Sequence, residues 1–139
     1  MKVSIVVSSF NEQADLPRLL ASIKSQTYEN VETIIVEGSN NSEMEKIASQ
    51  YSAIFVRDTK ANIGYSRNLG ATASSGDLLF FTNADCTMDD KHLLSKIVSK
   101  FRASPKLISC GGITKEICTS EVTQLIYNTQ HVLRHIFSL

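Results

Sequence analysis

The chain has no tryptophan, only two prolines and only six glycines among its 139 residues. It contains no internal repeat, low-complexity tract or linker, so one domain over 1–139 is expected. It also lacks a charge imbalance, with 14 basic residues facing 14 acidic ones. That balance excludes broad electrostatic attraction to nucleic acid or to an anionic membrane. Cysteine is sparse and odd in number: Cys86, Cys110 and Cys118. Three irregularly spaced thiols make no disulfide framework, and a reducing cytoplasm is the expected compartment. No run reaches the roughly 18 apolar residues that a membrane span needs. The opening "MKVSIVVSSF" is too short in its apolar part for a signal peptide and reads as a first strand.

Several reaction motifs are missing too. A dinucleotide-binding turn would place Gly-x-Gly-x-x-Gly after the first strand, where this chain has "SSFNEQ". The Gly-x-x-x-x-Gly-Lys-Ser/Thr phosphate loop is absent as well. His131 and His135 stand at i, i+4 in "HVLRH", but Val132 occupies the place of a metalloprotease glutamate. They read as solvent-facing residues of an amphipathic helix. Cys110 and Cys118 fit no zinc spacing, and Cys86 has no adjacent histidine and reads as a small buried hydrophobe.

What is present is alternation. Hydrophobic residues make up 42% of the chain, enough for a core without staples. Val3 to Val7 is an unbroken β-branched run, as in a strand buried on both faces. Leu16, Leu19, Leu20 and Ile23 then mark one face of a helix, with Asp15 as its cap and Pro17 in its first turn. "VETIIVEG" reads as a second strand ending at Gly38, and Ser42 with Glu45 as the capping box of a short helix. "AIFVRD" is a third strand. "NIGYSRNLGATASSG" is a helix closed by Gly76. "DLLFFTN" is a fourth strand, "DDKHLLSKIVSKFRASP" a helix capped by Asp89 or Asp90, "LISCGGI" a fifth strand, and Ser120 onward a last amphipathic helix. Strands alternating with helices predict a mostly parallel sheet with helices on both faces.

In such sheets ligands bind beyond the carboxyl ends of the strands. Those ends carry Ser8 to Glu12, then Glu37 to Ser39, then Arg57 and Asp58, then Asn83 to Cys86. The run "LLFFTNADCTMDD" passes from a buried strand straight into acids. A carboxylate held just past a rigid strand suits a hard cation such as Mg²⁺ or Mn²⁺, and a turn with a helix cap is the alternative reading of the same residues. Mg²⁺ often takes one or two protein carboxylates and completes its shell with water and phosphate, so Asp85 alone is chemically sufficient.

Four segments, in order, resemble the donor-binding half of a family 2 glycosyltransferase of the GT-A fold: "VSIVVSSFNE", "LLASIKSQTYENVETIIVEGS", "NIGYSRNLGATASSGDLLFF" and "TNADC". The third is the most specific, and together they cover about residues 1 to 90. The resemblance implies a three-layer α/β/α sandwich and inverting transfer of a sugar from a nucleoside-diphosphate sugar to an acceptor hydroxyl. It places Ser9 and Phe10 against the base and ribose, Glu37 on the base, and Arg67 near the diphosphate or base. Asn83 would face the ribose or metal, and Asp85 would bind the divalent cation. The chain departs from the family where Ser8-Ser9 replaces Pro-Thr, Glu37 replaces a pair of acids, and Asn83 replaces the first acid of Asp-x-Asp. No catalytic base and no Gln-x-x-Arg-Trp segment is found. The expected chain is thus a fragment or a divergent short member without the acceptor-binding half. It would work with a glycan or lipid-linked acceptor, in the cytoplasm or at the inner membrane face. Its apolar last helix would suit a homodimer. A non-catalytic module derived from such an enzyme, binding a nucleotide sugar or a partner protein, is the alternative.

Overall fold

The structure, a computed structural model, describes residues 1–111. The expected C-terminal helix and the histidine pair lie outside the described residues. The chain divides into two compact units, Met1–Lys106 and Leu107–Leu139. The first holds four strands and four helices: β1 (Val3–Ser9), α1 (Leu16–Lys24), β2 (Val31–Glu37), α2 (Ser42–Gln50), β3 (Ile54–Arg57), α3 (Ile63–Ala73), β4 (Leu78–Asn83) and α4 (Leu93–Ala103). Residues 107–111 form no strand, so the described part of "LISCGGI" does not continue the sheet. Among the described residues no helix is long and apolar enough to cross a membrane.

The sheet is parallel throughout, in the order β3-β2-β1-β4. β1 therefore has a neighbour on each edge, and all seven of its residues are buried. Its alternating side chains feed two cores. Val3, Ile5 and Val7 join Leu16, Leu19, Leu20 and Ile23 of α1, Met44 and Ile47 of α2, and Leu94 and Val98 of α4. On the opposite face Val6 joins Ile34 and Val36, with Leu69 and Ala73 of α3 packed against them. The expected three layers are present: α1, α2 and α4 on one side, the sheet, and α3 on the other.

Contact between α3 and the sheet depends on a missing side chain. A Cβ on Gly70 would stand 2.2 Å from Val6 Cγ1 and 3.2 Å from Val36 Cγ2. Both valines are fully buried, so neither can turn away. Gly76 serves the other end of the sheet and not a helix end. α3 stops at Ala73 with Ser74 as its cap. A Cβ on Gly76 would meet Ser4 Oγ at 2.5 Å and the Lys2 carbonyl at 2.9 Å.

Three other termini differ from expectation. α2 is capped by Asn41, which accepts from the Glu43 amide, so no Ser42–Glu45 box forms. Asn41 also donates to Asn11 Oδ1 and Gln13 Oε1, tying α2 to the loop after β1. Asp15 sits at the cap of α1, but its carboxylate takes Arg18 at 3.0 Å and no amide. At α4 the cap position is His92; Asp90 accepts the His92 amide and pairs with Lys96.

At the amino-terminal edge of the sheet Glu32 is the hub. Its carboxylate accepts from Lys2 Nζ (2.6 Å), Ser4 Oγ (2.5 Å) and the Ser75 amide (2.6 Å). Burial alone would raise its pKa, but the lysine and these hydrogen bonds outweigh that and hold it at about 2. The folded value lies below the ordinary 4.5. Its contribution to stability is therefore complete above that ordinary value and is lost as pH falls toward 2.

Two outcomes are expected. Gly70→Ala should lower the unfolding free energy by about 1–3 kcal/mol, read from urea midpoints, because α3 must lift off Val6. The wild type should lose on the order of 3 kcal/mol between about pH 4.5 and pH 2 through Glu32, and Glu32→Gln should lack that acid-sensitive increment in parallel melts.

Candidate functional site

The strand order reverses between β1 and β4, and a parallel sheet opens a crevice at such a point. The register decides which side chains reach it. Ser8 pairs with Asn83 across β1 and β4, and Ser9 pairs with Glu37 across β1 and β2. Beyond them lies a cleft of about 240 Å³ lined by Ser8, Ser9, Phe10, Glu12, Gly38, Ala61, Ile63, Ser66, Asn83 and Asp85.

The polar lining is unfinished. Ser8 Oγ, Ser9 Oγ and Asn83 Oδ1 are buried and have no hydrogen-bond partner. Ser8 and Ser9 are each 7% exposed, so water reaches them poorly. An unpaired buried polar atom costs about 1–3 kcal/mol. Three of them in one cleft are what a ligand with matching donors and acceptors would satisfy.

Two carboxylates share the cleft. Burial raises the pKa of Glu12, and the charge of nearby Asp85 raises it further. The Phe10 amide, which donates to Glu12 Oε2 at 3.3 Å, acts the other way. Asp85 itself is exposed. Glu12, Asn83 and Asp85 thus offer hard oxygen donors, which suit Mg²⁺ or Mn²⁺. Among the described residues no three His, Cys, Asp or Glu side chains stand together as a metal cluster.

The other two acids at the strand ends shape the loops. Glu37 is fully buried, and its Oε1 accepts the amides of Asn11 (3.0 Å) and Ser39 (2.8 Å). Its Oε2 has no partner. Asp58 accepts the amides of Lys60, Ala61 and Asn62 and the Ser66 hydroxyl. Burial pushes the Asp58 pKa up, but Ser66 and the three amides together hold it below the ordinary carboxylate value. This network keeps Ala61 in the left-handed region, at φ 49°, where it forms part of the cleft wall.

Of the residues singled out in the sequence, Ser9, Phe10, Asn83 and Asp85 line one cleft. Phe10 is 60% exposed, an aromatic surface open at the rim. Glu37 lies one residue before the lining residue Gly38, and Arg67 is exposed one residue past the lining residue Ser66. Glu12 and Asp58 stand among the strand-end polar residues without an assigned role, and Ser66 is not among them. Their position after strand ends was a signal for Glu12 and Asp58. Nothing local marked Ser66.

Comparison with known proteins gives a consistent answer. The family model described as glycosyl transferase family 2 matches residues 4–137. An uncharacterized glycosyltransferase of Haemophilus influenzae is 35% identical over 109 residues, covering 76% of this chain and 36% of the relative. Among solved structures, Staphylococcus aureus TarS 1-349 in complex with UDP superposes with a TM-score of 0.70 at 17% identity, over 86% of this chain and 40% of that one. The mannosyltransferase PcManGT of Pyrobaculum calidifontis, in complex with GDP-Man and Mn²⁺, gives 0.69 at 19% identity, over 76% and 33%. These two show the fold, which is that of GT-A glycosyltransferases. The chain spans about a third of the length of the H. influenzae relative. With the family model matched over nearly its whole length, the chain belongs to glycosyl transferase family 2.

Proposed function

We propose that this chain forms the donor site of a glycosyltransferase that moves a sugar, with inversion, from a nucleoside-diphosphate sugar to an acceptor hydroxyl. The observation that carries the reading is the set of orphaned oxygens of Ser8, Ser9 and Asn83 in the switch-point cleft. Phe10 offers its exposed ring to the base, and Ser9 its free hydroxyl to the ribose. Glu37 Oε2, a carboxylate oxygen without a partner, is the acceptor for a base N–H. The first turn of α3 borders the cleft through Ile63 and Ser66, and its dipole favours an anion there. Arg67, on the same helix, adds positive charge for the diphosphate.

The carboxylates give an independent argument for a cation. A diphosphate placed beside Glu12 and Asp85 meets two like charges in a partly desolvated cleft. Asp85, with Asn83 beside it, would hold a divalent ion, which would offset that repulsion and supply Lewis-acid stabilisation to the leaving diphosphate. The protein's own part is to fix the nucleotide by the serines and Phe10 and to keep Asp85 directed at the phosphates. The acceptor in this reading is a glycan or lipid-linked hydroxyl, deprotonated by a base as it attacks. One feature favours a second reading. Asn83 is neutral where an acid would hold the ion more firmly, which suits a module that binds the donor without transferring its sugar. Both readings bind a nucleotide, and only the first releases product.

Calorimetric titration of the chain with UDP and GDP, each with and without Mn²⁺, tests the shared claim. At least one nucleotide should bind more tightly with the metal. Asp85→Ala should remove that metal-dependent gain, a loss of at least about tenfold, while leaving weak metal-free binding. Absence of binding by either nucleotide would sink the reading, and unchanged affinity in Asp85→Ala would sink the metal assignment.

A further inference from the structure

Asp85 is followed by residues 86–90, which have no regular secondary structure. Their backbone must find partners elsewhere. The Met88 amide and the Asp90 carbonyl, with the Asp85 carbonyl before them, meet one row of side chains on α1 and just beyond it. Arg18, Ser22 and Gln26 are spaced at i, i+4 and i+8 along α1 and its first residues beyond. Arg18 Nη2 donates to the Asp85 carbonyl at 3.3 Å. Ser22 Oγ accepts the Met88 amide at 3.0 Å. Gln26 donates through Nε2 to the Asp90 carbonyl at 2.9 Å and accepts the Leu94 amide through Oε1 at 3.2 Å. Thr27 continues the row: its amide and its hydroxyl both donate to the Lys91 carbonyl.

Ser22 and Gln26 are each held in one orientation. Ser22 Oγ donates its own hydrogen to the Leu19 carbonyl at 2.7 Å, so its lone pairs are left for Met88. Gln26 is 8% exposed and uses both ends of its amide, which fixes which end faces which partner. Met88 is 5% exposed and anchors the same segment in the core. At the near end the Ala84 amide donates to the Ser8 carbonyl, extending the β1–β4 ladder. Asp85 therefore stands between two fixed points, the sheet before it and the α1 clasp after it.

We propose that Ser22 and Gln26 are positioning residues of the donor site: from outside the cleft, they set the backbone that aims Asp85 at the cation. The inference rests on the donor-site reading above, in which Asp85 holds that cation. Neither residue touches the ligand. Both act through the segment that follows Asp85, so their loss should weaken the metal-dependent part of nucleotide binding and spare the part made by Ser9 and Phe10. A residue that only holds the fold together would weaken both parts or neither.

The test compares wild type, Ser22→Ala, Ser22→Thr and Gln26→Leu by calorimetry with the nucleotide the wild type binds, with and without Mn²⁺, alongside melting temperatures. Ser22→Ala and Gln26→Leu should each lose about tenfold in the metal-dependent affinity and less than about twofold without metal. Ser22→Thr keeps the oxygen and should bind as the wild type does. Unchanged metal-dependent affinity in a folded variant, or an equal loss with and without metal, overturns the proposal and leaves the donor site standing. A wild type that binds nucleotide without metal dependence overturns the metal assignment and this proposal with it, and one that binds no nucleotide overturns the donor-site reading as well. If Gln26→Leu fails to fold, Ser22→Ala decides alone.

Discussion

The pairing of β1 with β4 on one edge and β2 on the other is the constraint on which the rest of the first unit depends. Because β1 is buried on both faces, its alternating residues must satisfy two cores at once. Val3, Ile5 and Val7 serve one, and Val6 serves the other. A slip of one residue would exchange them and strand every side chain on the wrong face. The same register delivers Ser8, Ser9 and Asn83 to the crevice. Packing and site geometry are thus two readings of one alignment.

The acids at the strand ends divide into two jobs by what surrounds them. Asp58 is buried with both oxygens taken by amides and the Ser66 hydroxyl, so it acts as a fixed anchor that shapes its loop, whereas Glu37 is anchored through Oε1 alone and keeps Oε2 unpaired. Glu12 and Asp85 lack such donor sets, and Glu12 bears a raised pKa from burial and from its neighbour's charge. A carboxylate saturated by amides has little left to offer a ligand, whereas an under-satisfied one gains from a cation. That contrast, rather than acidity as such, separates framework from cleft.

Much of the fold was legible in the sequence because its signals are local. Val3 to Val7 and "VETIIVE" announce buried strands by β-branched content, and Leu16, Leu19, Leu20 and Ile23 announce a helix face by spacing. The cleft residues Ser9, Phe10, Asn83 and Asp85 were legible because strand ends gather on one edge. What was hidden depends on partners remote in sequence. Gly76 reads as a helix stop, yet its lack of a side chain is used against Lys2 and Ser4. Asn41 caps α2 in preference to the better-patterned Ser42 because it also reaches Asn11 and Gln13. Gln26 looks like an ordinary polar residue after a helix, and only the tertiary structure brings Asp90 and Leu94 to it.

The central place of β1 bears on how the molecule is made. β1 is the first of the four described strands, and its β4 edge is completed only after α1, β2, α2, β3 and α3 have intervened. That pairing closes a long loop, and loop closure of this kind slows folding more than it alters final stability. During synthesis the strand emerges with one edge provided for early, by β2, and the other left open until β4 arrives. The polar Ser4, Ser8 and Ser9 interrupt its apolar character and the charged Lys2 precedes it, a composition that restrains an exposed edge from pairing with another chain in the interval.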